Sequence, residues 1–173
     1  MKRLWIVLVG VLFAGCATLP YARPQATADL KNAKGDVVGT AALWEDEGGV
    51  RVFAEVRGLP PGRHGIHLHA VGKCDPPEFA TAGAHFNPEG KKHGLANPQG
   101  PHAGDLPNLD VAADGTGQVH YLARRVTLAP GPASLLDADG TAVVVHAGAD
   151  DHVTDPTGNS GGRIACGVIQ KAP

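Results

Sequence analysis

Six of the nine histidines in this 173-residue chain are spaced in a way that could hold metal ions. His67 and His69 are separated by one residue, and His146 lies far downstream. Between them along the chain lies a second set, made of His85, His93, His102 and Asp105. A buried imidazole nitrogen without a partner costs free energy, so such a grouping is favoured when a metal ion accepts the nitrogen lone pairs. The spacing therefore predicts a metal centre.

The first pair of histidines suits a copper ion. His67 and His69 alternate with Ile66 and Leu68, a pattern that is typical of a β-strand. Because side chains alternate across a strand, both imidazoles project from one face, where a neighbouring strand can place His146. Three imidazoles with an open coordination position suit a redox-active copper that a substrate can reach.

The second set predicts a structural zinc ion, because three imidazoles and one carboxylate make a closed tetrahedral set. Its members lie within residues 71–107, a segment rich in Gly, Pro, His and charged residues that has no strand periodicity. A loop of this length in a compact domain is usually either disordered or functional. Bound metal could supply the order that the composition lacks.

The remaining sequence predicts short strands joined by turns. It contains 24 glycines and 14 prolines, and long helical periodicities are missing. Alternation of buried and exposed residue types predicts eight strands over residues 26–31, 37–46, 50–56, 65–70, 108–112, 118–122, 141–146 and 163–169. Eight strands without helices in a chain of this length predict one all-β domain, either a sandwich or a barrel.

The N-terminus predicts export. Lys2 and Arg3 precede a mostly apolar run at residues 4–13, which is too short to span a bilayer. The sequence Phe-Ala-Gly-Cys at residues 13–16 resembles the cleavage box of bacterial lipoproteins, and an ordinary cleaved signal is the alternative. We therefore expect a periplasmic or cell-envelope protein with a signal peptide at 1–15, a tether at 16–25 lipidated on Cys16, and one domain at 26–173.

Net charge limits the binding partners that are expected, and the cysteine count limits how the cysteines can pair. The formal net charge is −2, and losing Lys2 and Arg3 with the signal peptide makes it −4, so no basic stripe for nucleic acid is expected. If Cys16 carries lipid, Cys74 and Cys166 remain as one pair, which an oxidising compartment would close into a disulfide. Two free buried thiols are the alternative.

Several motifs, in order, make the chain resemble the copper-zinc superoxide dismutases over nearly all of residues 26–171. They are Gly-Ile-His-Leu-His at 65–69, Ala-His-Phe-Asn-Pro at 84–88, Lys-His-Gly at 92–94, His-Ala-Gly-Asp-Leu-Pro-Asn at 102–108, Val-Val-His at 144–146, and Gly-Asn-Ser-Gly-Gly-Arg-Ile-Ala-Cys-Gly at 158–167. The resemblance implies an eight-stranded Greek-key barrel with long metal-binding loops. It also implies dismutation of superoxide to dioxygen and hydrogen peroxide.

The resemblance assigns a role to each candidate site residue. It implies copper on His67, His69, His85 and His146, and zinc on His85, His93, His102 and Asp105. His85 would bridge the two metals, and this bridge would release and regain a proton. Arg163 would hold the anion beside copper, and Asp150 would link ligands of the two metals. Other matches are Thr157 in the copper channel and His64 beneath the copper site, while Asp151, His120 and His152 match no ligand and are expected in solvent.

Two segments depart from the eukaryotic members of the family. Thr157 follows His146 by only eleven positions, and the missing stretch carries the charges that steer superoxide, so a weaker or different salt dependence is expected. The step from Cys74 to His85 is longer, in a region that forms subunit contacts in the family, which makes a homodimer one expectation. A non-catalytic copper-binding domain is the main rival hypothesis; it would be favoured by a missing copper ligand or a missing Arg163, and neither is missing.

Overall fold

Nine antiparallel strands follow one hydrogen-bonded path in a computed structural model that describes residues 23–173. The elements are β1 (Ala26–Asn32), β2 (Val37–Asp46), β3 (Gly49–Val56), β4 (Gly62–His64), β5 (Ile66–His69), a 3-10 turn (Ala80–Ala82), β6 (Leu109–Val111), β7 (Gly117–Ala123), β8 (Ala142–His146), β9 (Arg163–Val168) and β10 (Gln170–Lys171). The order along the path is β4-β6-β7-β3-β2-β1-β9-β8-β5, and β10 pairs with β1. Because only Gly65 separates β4 from β5, the two ends of the path meet in a nearly closed barrel.

All eight strands expected from the alternation are present, and the all-β Greek-key prediction is confirmed. The connection from β3 to β4 passes β7 and β6 rather than joining neighbours, as a Greek key requires. The strand predicted at residues 65–70 is present as β5, which pairs with β8, whereas β4 on β6 and the short β10 were not predicted. The chain changes its pairing partner between β4 and β5. Gly65 allows this change of partner, since a Cβ there would lie 2.8 Å from Cβ of Ser160.

The two strands at the metal centre are buried on both faces. Every residue of β5 and of β8 is buried. Ile66 and Leu68 join the barrel core, while His67 and His69 project to the other face and remain buried. Loops therefore cover the outer face of these strands. The covering loops are residues 70–108 and residues 147–162, named here the zinc loop and the closing loop.

A disulfide joins Cys74 to Cys166 across 92 positions, so the predicted pairing is confirmed and the alternative of two free thiols is wrong. A loop of this size gives about 4–5 kcal/mol of stabilisation in the chain-entropy model. Cys166 also packs with Phe79, Ala82 and Val144 in a second, smaller apolar cluster. The disulfide thus fixes the start of the zinc loop against β9.

The N-terminal predictions lie largely outside the described residues, which begin at Arg23. This applies to the signal peptide at 1–15, to Cys16 and to most of the tether at 16–25. Gln25, the last residue of the predicted tether, already donates its backbone N–H to Leu43 O at 2.9 Å. Across residues 23–173, no helix is long and apolar enough to cross a membrane.

Candidate metal centre

Main-chain hydrogen bonds seat the zinc loop on β5. Leu68 donates its N–H to Gly104 O at 2.9 Å and accepts from Phe86 N–H at 2.8 Å. A Cβ at position 104 would lie 2.3 Å from Leu68 O, so this approach requires glycine. The contact places His85 beside His69 and Asp105 beside His67, as isolated bridges between the loop and the strand.

Four buried imidazoles form the first ligand group, which consists of His67, His69, His85 and His146. Their ligand atoms all lie within 4.8 Å of one another. His69 donates Nδ1–H to Gly83 O at 2.9 Å, and His146 donates Nδ1–H to Gly161 O at 3.1 Å. Because a carbonyl oxygen only accepts, the other nitrogen of each ring carries a lone pair.

The remaining nitrogens of this group have no hydrogen-bond partner among the described residues, although they are buried. They are His67 Nδ1, His69 Nε2, His85 Nε2 and His146 Nε2. Converging lone pairs without a donor are unfavourable, and a cation between them removes the cost. The first group therefore fits a metal bound by four imidazole nitrogens.

The second ligand group consists of His85, His93, His102 and Asp105, and it meets around one carboxylate oxygen. Asp105 Oδ1 lies 3.0 Å from His85 Nδ1, 3.0 Å from His93 Nδ1 and 3.4 Å from His102 Nδ1. The Nδ1 atoms of His85 and His102 are 3.5 Å apart. A zinc tetrahedron with bonds of about 2.0–2.1 Å has edges of about 3.3–3.4 Å, so these spacings fit a zinc ion.

Ligand atoms of His67 also lie within 4.8 Å of those of His85, His93 and Asp105. Hydrogen bonding decides whether His67 or His102 is the fourth member of the second group. Nε2 of His67 is committed to Asp150 Oδ2 at 2.7 Å, so its free atom is the Nδ1 that belongs to the first group. His102 instead offers Nδ1 directly to the second group.

Asp150 connects the two groups. Its Oδ2 accepts from His67 Nε2 at 2.7 Å, and its Oδ1 accepts from His93 Nε2 at 3.0 Å. Gly158 leaves room for this contact, because a Cβ there would lie 1.8 Å from Asp150 Oδ1. One carboxylate thereby fixes the tautomers of two rings whose other nitrogens face different ligand groups.

Asn108 holds Asp150 in place, a role that the sequence analysis missed. Its side-chain amide donates to Asp150 O at 2.8 Å and accepts from Asp150 N–H at 2.8 Å. His152 was expected in solvent, but it is half-buried, and its Nε2 lies 3.1 Å from Asn108 Nδ2. The only sequence signal for Asn108 was its place at the end of the 102–108 motif.

Burial keeps the first group neutral. It lowers the pKa of His67 to about 3, of His69 to about 2 and of His146 to about 4. Each of these imidazoles therefore presents a lone pair at neutral pH without first losing a proton.

Two carboxylates beside His93, those of Asp105 and Asp150, act on its pKa in the opposite direction to burial. Burial lowers the pKa of His93, but hydrogen bonds to Asp105 and Asp150 outweigh it and raise this pKa to about 9. Burial likewise opposes ionisation of Asp105, yet bonds from its histidines hold the pKa of Asp105 far below its usual range. A metal at His93 Nδ1 therefore competes with a proton there.

An open cavity of about 1320 Å³ reaches the first group and is lined by His69, His85, His146, Thr157 and Arg163. The Arg163 guanidinium donates to Phe79 O and to Gly83 O, both at 2.6 Å. The structure thus brings the predicted arginine, the predicted channel threonine and the first ligand group to one cavity.

Three other histidine and aspartate predictions have definite outcomes. His64 is buried, with its ring nitrogens 2.8 Å from His146 O and from Pro60 O. His120 is exposed, as expected. Asp151 is also exposed, but it has a structural role in its loop. It accepts hydrogen bonds from Val153 N, Thr154 N, Thr154 Oγ1 and Asn159 Nδ2.

Comparisons with known proteins agree with this geometry. A family model described as copper/zinc superoxide dismutase (SODC) matches residues 37–169. Superoxide dismutase (Cu-Zn) 2 from Aquifex aeolicus is 47% identical over 172 residues, covering 98% of this chain and 100% of that protein. The crystal structure of a SOD-like protein from Bacillus subtilis superimposes with a TM-score of 0.79 at 42% identity, covering 82% of this chain and 96% of that one. Cu/Zn superoxide dismutase from Brucella abortus gives a TM-score of 0.70 at 31% identity, covering 84% and 99%.

Asp150→Asn should weaken binding at both ligand groups. The amide keeps the shape but removes the charge that orients His67 and His93, and loss of such a partner typically costs about 10–100-fold in metal affinity. Competition titrations with chelators measure the two affinities, and Asp151→Asn is the matched control on the same loop. Unchanged affinities in Asp150→Asn would show that the carboxylate does not act on the ligands.

Proposed function

Because this chain belongs to the copper/zinc superoxide dismutase family, we propose that the first ligand group holds copper and the second holds zinc, with His85 shared. The reaction is dismutation, in which two superoxide anions and two protons give dioxygen and hydrogen peroxide, and the cofactors are copper and zinc. The observation that carries the assignment is the convergence, beside an open cavity, of four imidazole nitrogens that have no hydrogen-bond partner within residues 23–173.

Copper, when bound, supplies the change of oxidation state that oxidises one superoxide and reduces the next. The protein contributes the rest. His85 faces the second group through Nδ1 and the first group through Nε2, so Nε2 is the atom that can hold a proton and pass it to the reduced oxygen. Arg163, fixed by two carbonyl oxygens, keeps its positive charge at the cavity and binds the anion there.

His146→Ala should abolish copper binding and lower activity by more than about 100-fold, since losing a direct ligand exceeds the loss of an outer partner. Zinc content should stay near that of the native chain, because His146 is not in the second group. Metal analysis and superoxide consumption give the two readouts, with His120→Ala as an exposed control. A native chain that binds copper without consuming superoxide would instead favour a non-catalytic copper-binding domain.

The cavity mouth supports the expectation of weak electrostatic steering. Its lining carries three basic residues, Arg163, Lys91 and Lys92, and three acidic residues, Asp137, Asp139 and Asp155. The formal charges cancel, so little net field attracts an anion from beyond the Debye length of about 10 Å at 0.1 M salt.

We accordingly expect kcat/KM for superoxide to fall by less than about twofold between about 10 mM and about 150 mM salt. Pulse-radiolysis rates across this range measure the effect. Asp139→Lys is the informative variant, since replacing one negative charge by one positive charge raises the local net charge by two units, which should raise the rate at low salt and steepen its salt dependence. A steep loss of rate in the native chain would contradict the proposal.

The proposal places the enzyme in the periplasm or cell envelope. It rests on the charged and apolar pattern of residues 1–15, which we propose is a signal peptide, and on Cys16 as the lipidated first residue of a tether to the domain. A disulfide between Cys74 and Cys166 is in keeping with an oxidising compartment. A homodimer through the exposed start of the disulfide loop, residues 75–78, completes the proposal, and sedimentation of a single monomeric species would refute it.

Cys16→Ser should release the mature protein from the membrane fraction of the producing cells without changing its activity. A serine cannot carry the thioether-linked lipid, and a single short tether offers no other anchor in this proposal. Membrane fractionation and intact mass measure the outcome. If the native chain fractionates as a soluble protein with the mass of an unmodified cleaved chain, the lipid anchor is wrong and an ordinary signal peptide remains.

A further inference from the structure

Outer partners hold the imidazoles of both ligand groups. His67 and His93 contact Asp150 through Nε2, while His69 and His146 donate Nδ1–H to backbone carbonyls. Such contacts fix the tautomer of a ligand and raise the basicity of its metal-facing nitrogen. For His102, the metal-facing atom is Nδ1, so the question is which oxygen serves its Nε2.

The candidate is Asp155 Oδ1, which lies 3.8 Å from His102 Nε2, within ion-pair range but beyond hydrogen-bonding distance. The same Oδ1 accepts the backbone N–H of His93 at 2.7 Å, and Oδ2 accepts from Lys92 Nζ at 3.1 Å. These hydrogen bonds lower the pKa of Asp155, the bond from His93 most, so the carboxylate is charged at neutral pH. One anion on the closing loop thus touches the backbone of one zinc-group ligand and faces the ring of another.

We propose that Asp155 is a positioning residue for the zinc site. Its Oδ1 fixes the backbone of His93 and accepts a hydrogen bond from His102 Nε2–H when His102 binds zinc through Nδ1. An approach of less than about 1 Å brings the present contact within hydrogen-bonding distance. Asp150 and Asp155 then act as two carboxylates through which the closing loop orients the zinc ligands. This inference rests on the zinc assignment proposed above.

Zinc affinity of the full mature chain tests the role of Asp155. Metal-depleted native protein and Asp155→Asn are titrated with zinc against a competing chelator, and the variant should bind zinc about tenfold more weakly. Asparagine still accepts from the His93 N–H, so the expected loss reports the missing charge at His102. Cobalt placed in the zinc group should show an altered absorption band in the variant, because the position of one ligand changes.

A proton signal separates positioning from general loop stability. In the zinc-loaded native chain, the His102 Nε2–H should give an NMR resonance that exchanges slowly with water. In Asp155→Asn this resonance should shift upfield and exchange faster, because a neutral amide oxygen is a weaker acceptor than a carboxylate. Asp151→Asn controls for closing-loop order, since Asp151 bonds only within its own loop. Asp137→Asn controls for charge at the cavity mouth.

The outcomes separate this inference from the proposed function. The role of Asp155 alone would be overturned if Asp155→Asn left both the zinc affinity and the His102 proton signal unchanged. It would also be overturned if both control variants showed the same changes. A native chain that takes up no zinc, or whose zinc affinity is indifferent to His102→Ala, would instead overturn the zinc assignment itself.

Discussion

The structure depends on an electrostatic constraint at the outer face of β5 and β8. Four buried imidazole nitrogens point their lone pairs at one another, and within residues 23–173 none has a hydrogen-bond donor. Backbone carbonyls of Gly83 and Gly161 and the carboxylate of Asp150 prevent the rings of His69, His146 and His67 from turning away. A cation is the partner that this arrangement favours, and the surrounding chain is organised to keep the arrangement intact.

The arrangement of buried imidazoles requires two loops to lie on a strand face that would otherwise be solvated. The zinc loop reaches β5 through main-chain bonds at Leu68, and the closing loop reaches the zinc loop through Ala96 N–H, which donates to His152 O at 3.0 Å. A Cβ at Gly94 would lie 2.1 Å from that same carbonyl, and one at Gly104 would lie 2.3 Å from Leu68 O. Glycines at loop contacts therefore allow β5 to be buried on both faces.

The sequence carries direct signals for the strands and for the candidate ligands, but not for the residues that support those ligands. Alternation reports burial on one face directly, so a strand such as β3 was predictable, and histidines indicate metal chemistry by residue type. The roles of Asn108 and Asp155 were not predicted, because these residues act on main-chain groups or on rings that only the fold brings close. His152 was placed in solvent because its environment depends on how the closing loop docks. The strand β4 was missed because three residues are too few to show a period.

The disulfide and Arg163, the proposed anion-binding residue, belong to one mechanical unit. Arg163 donates to Phe79 O and Gly83 O, and Gly83 O also accepts from His69. Phe79 packs in the smaller apolar cluster with Cys166, which the disulfide joins to Cys74 at the start of the same loop. The carbonyls that position the Arg163 guanidinium and the His69 imidazole therefore lie in the segment that the disulfide closes. A covalent bond on β9 thus helps to set the positions of the Arg163 guanidinium and the His69 imidazole together.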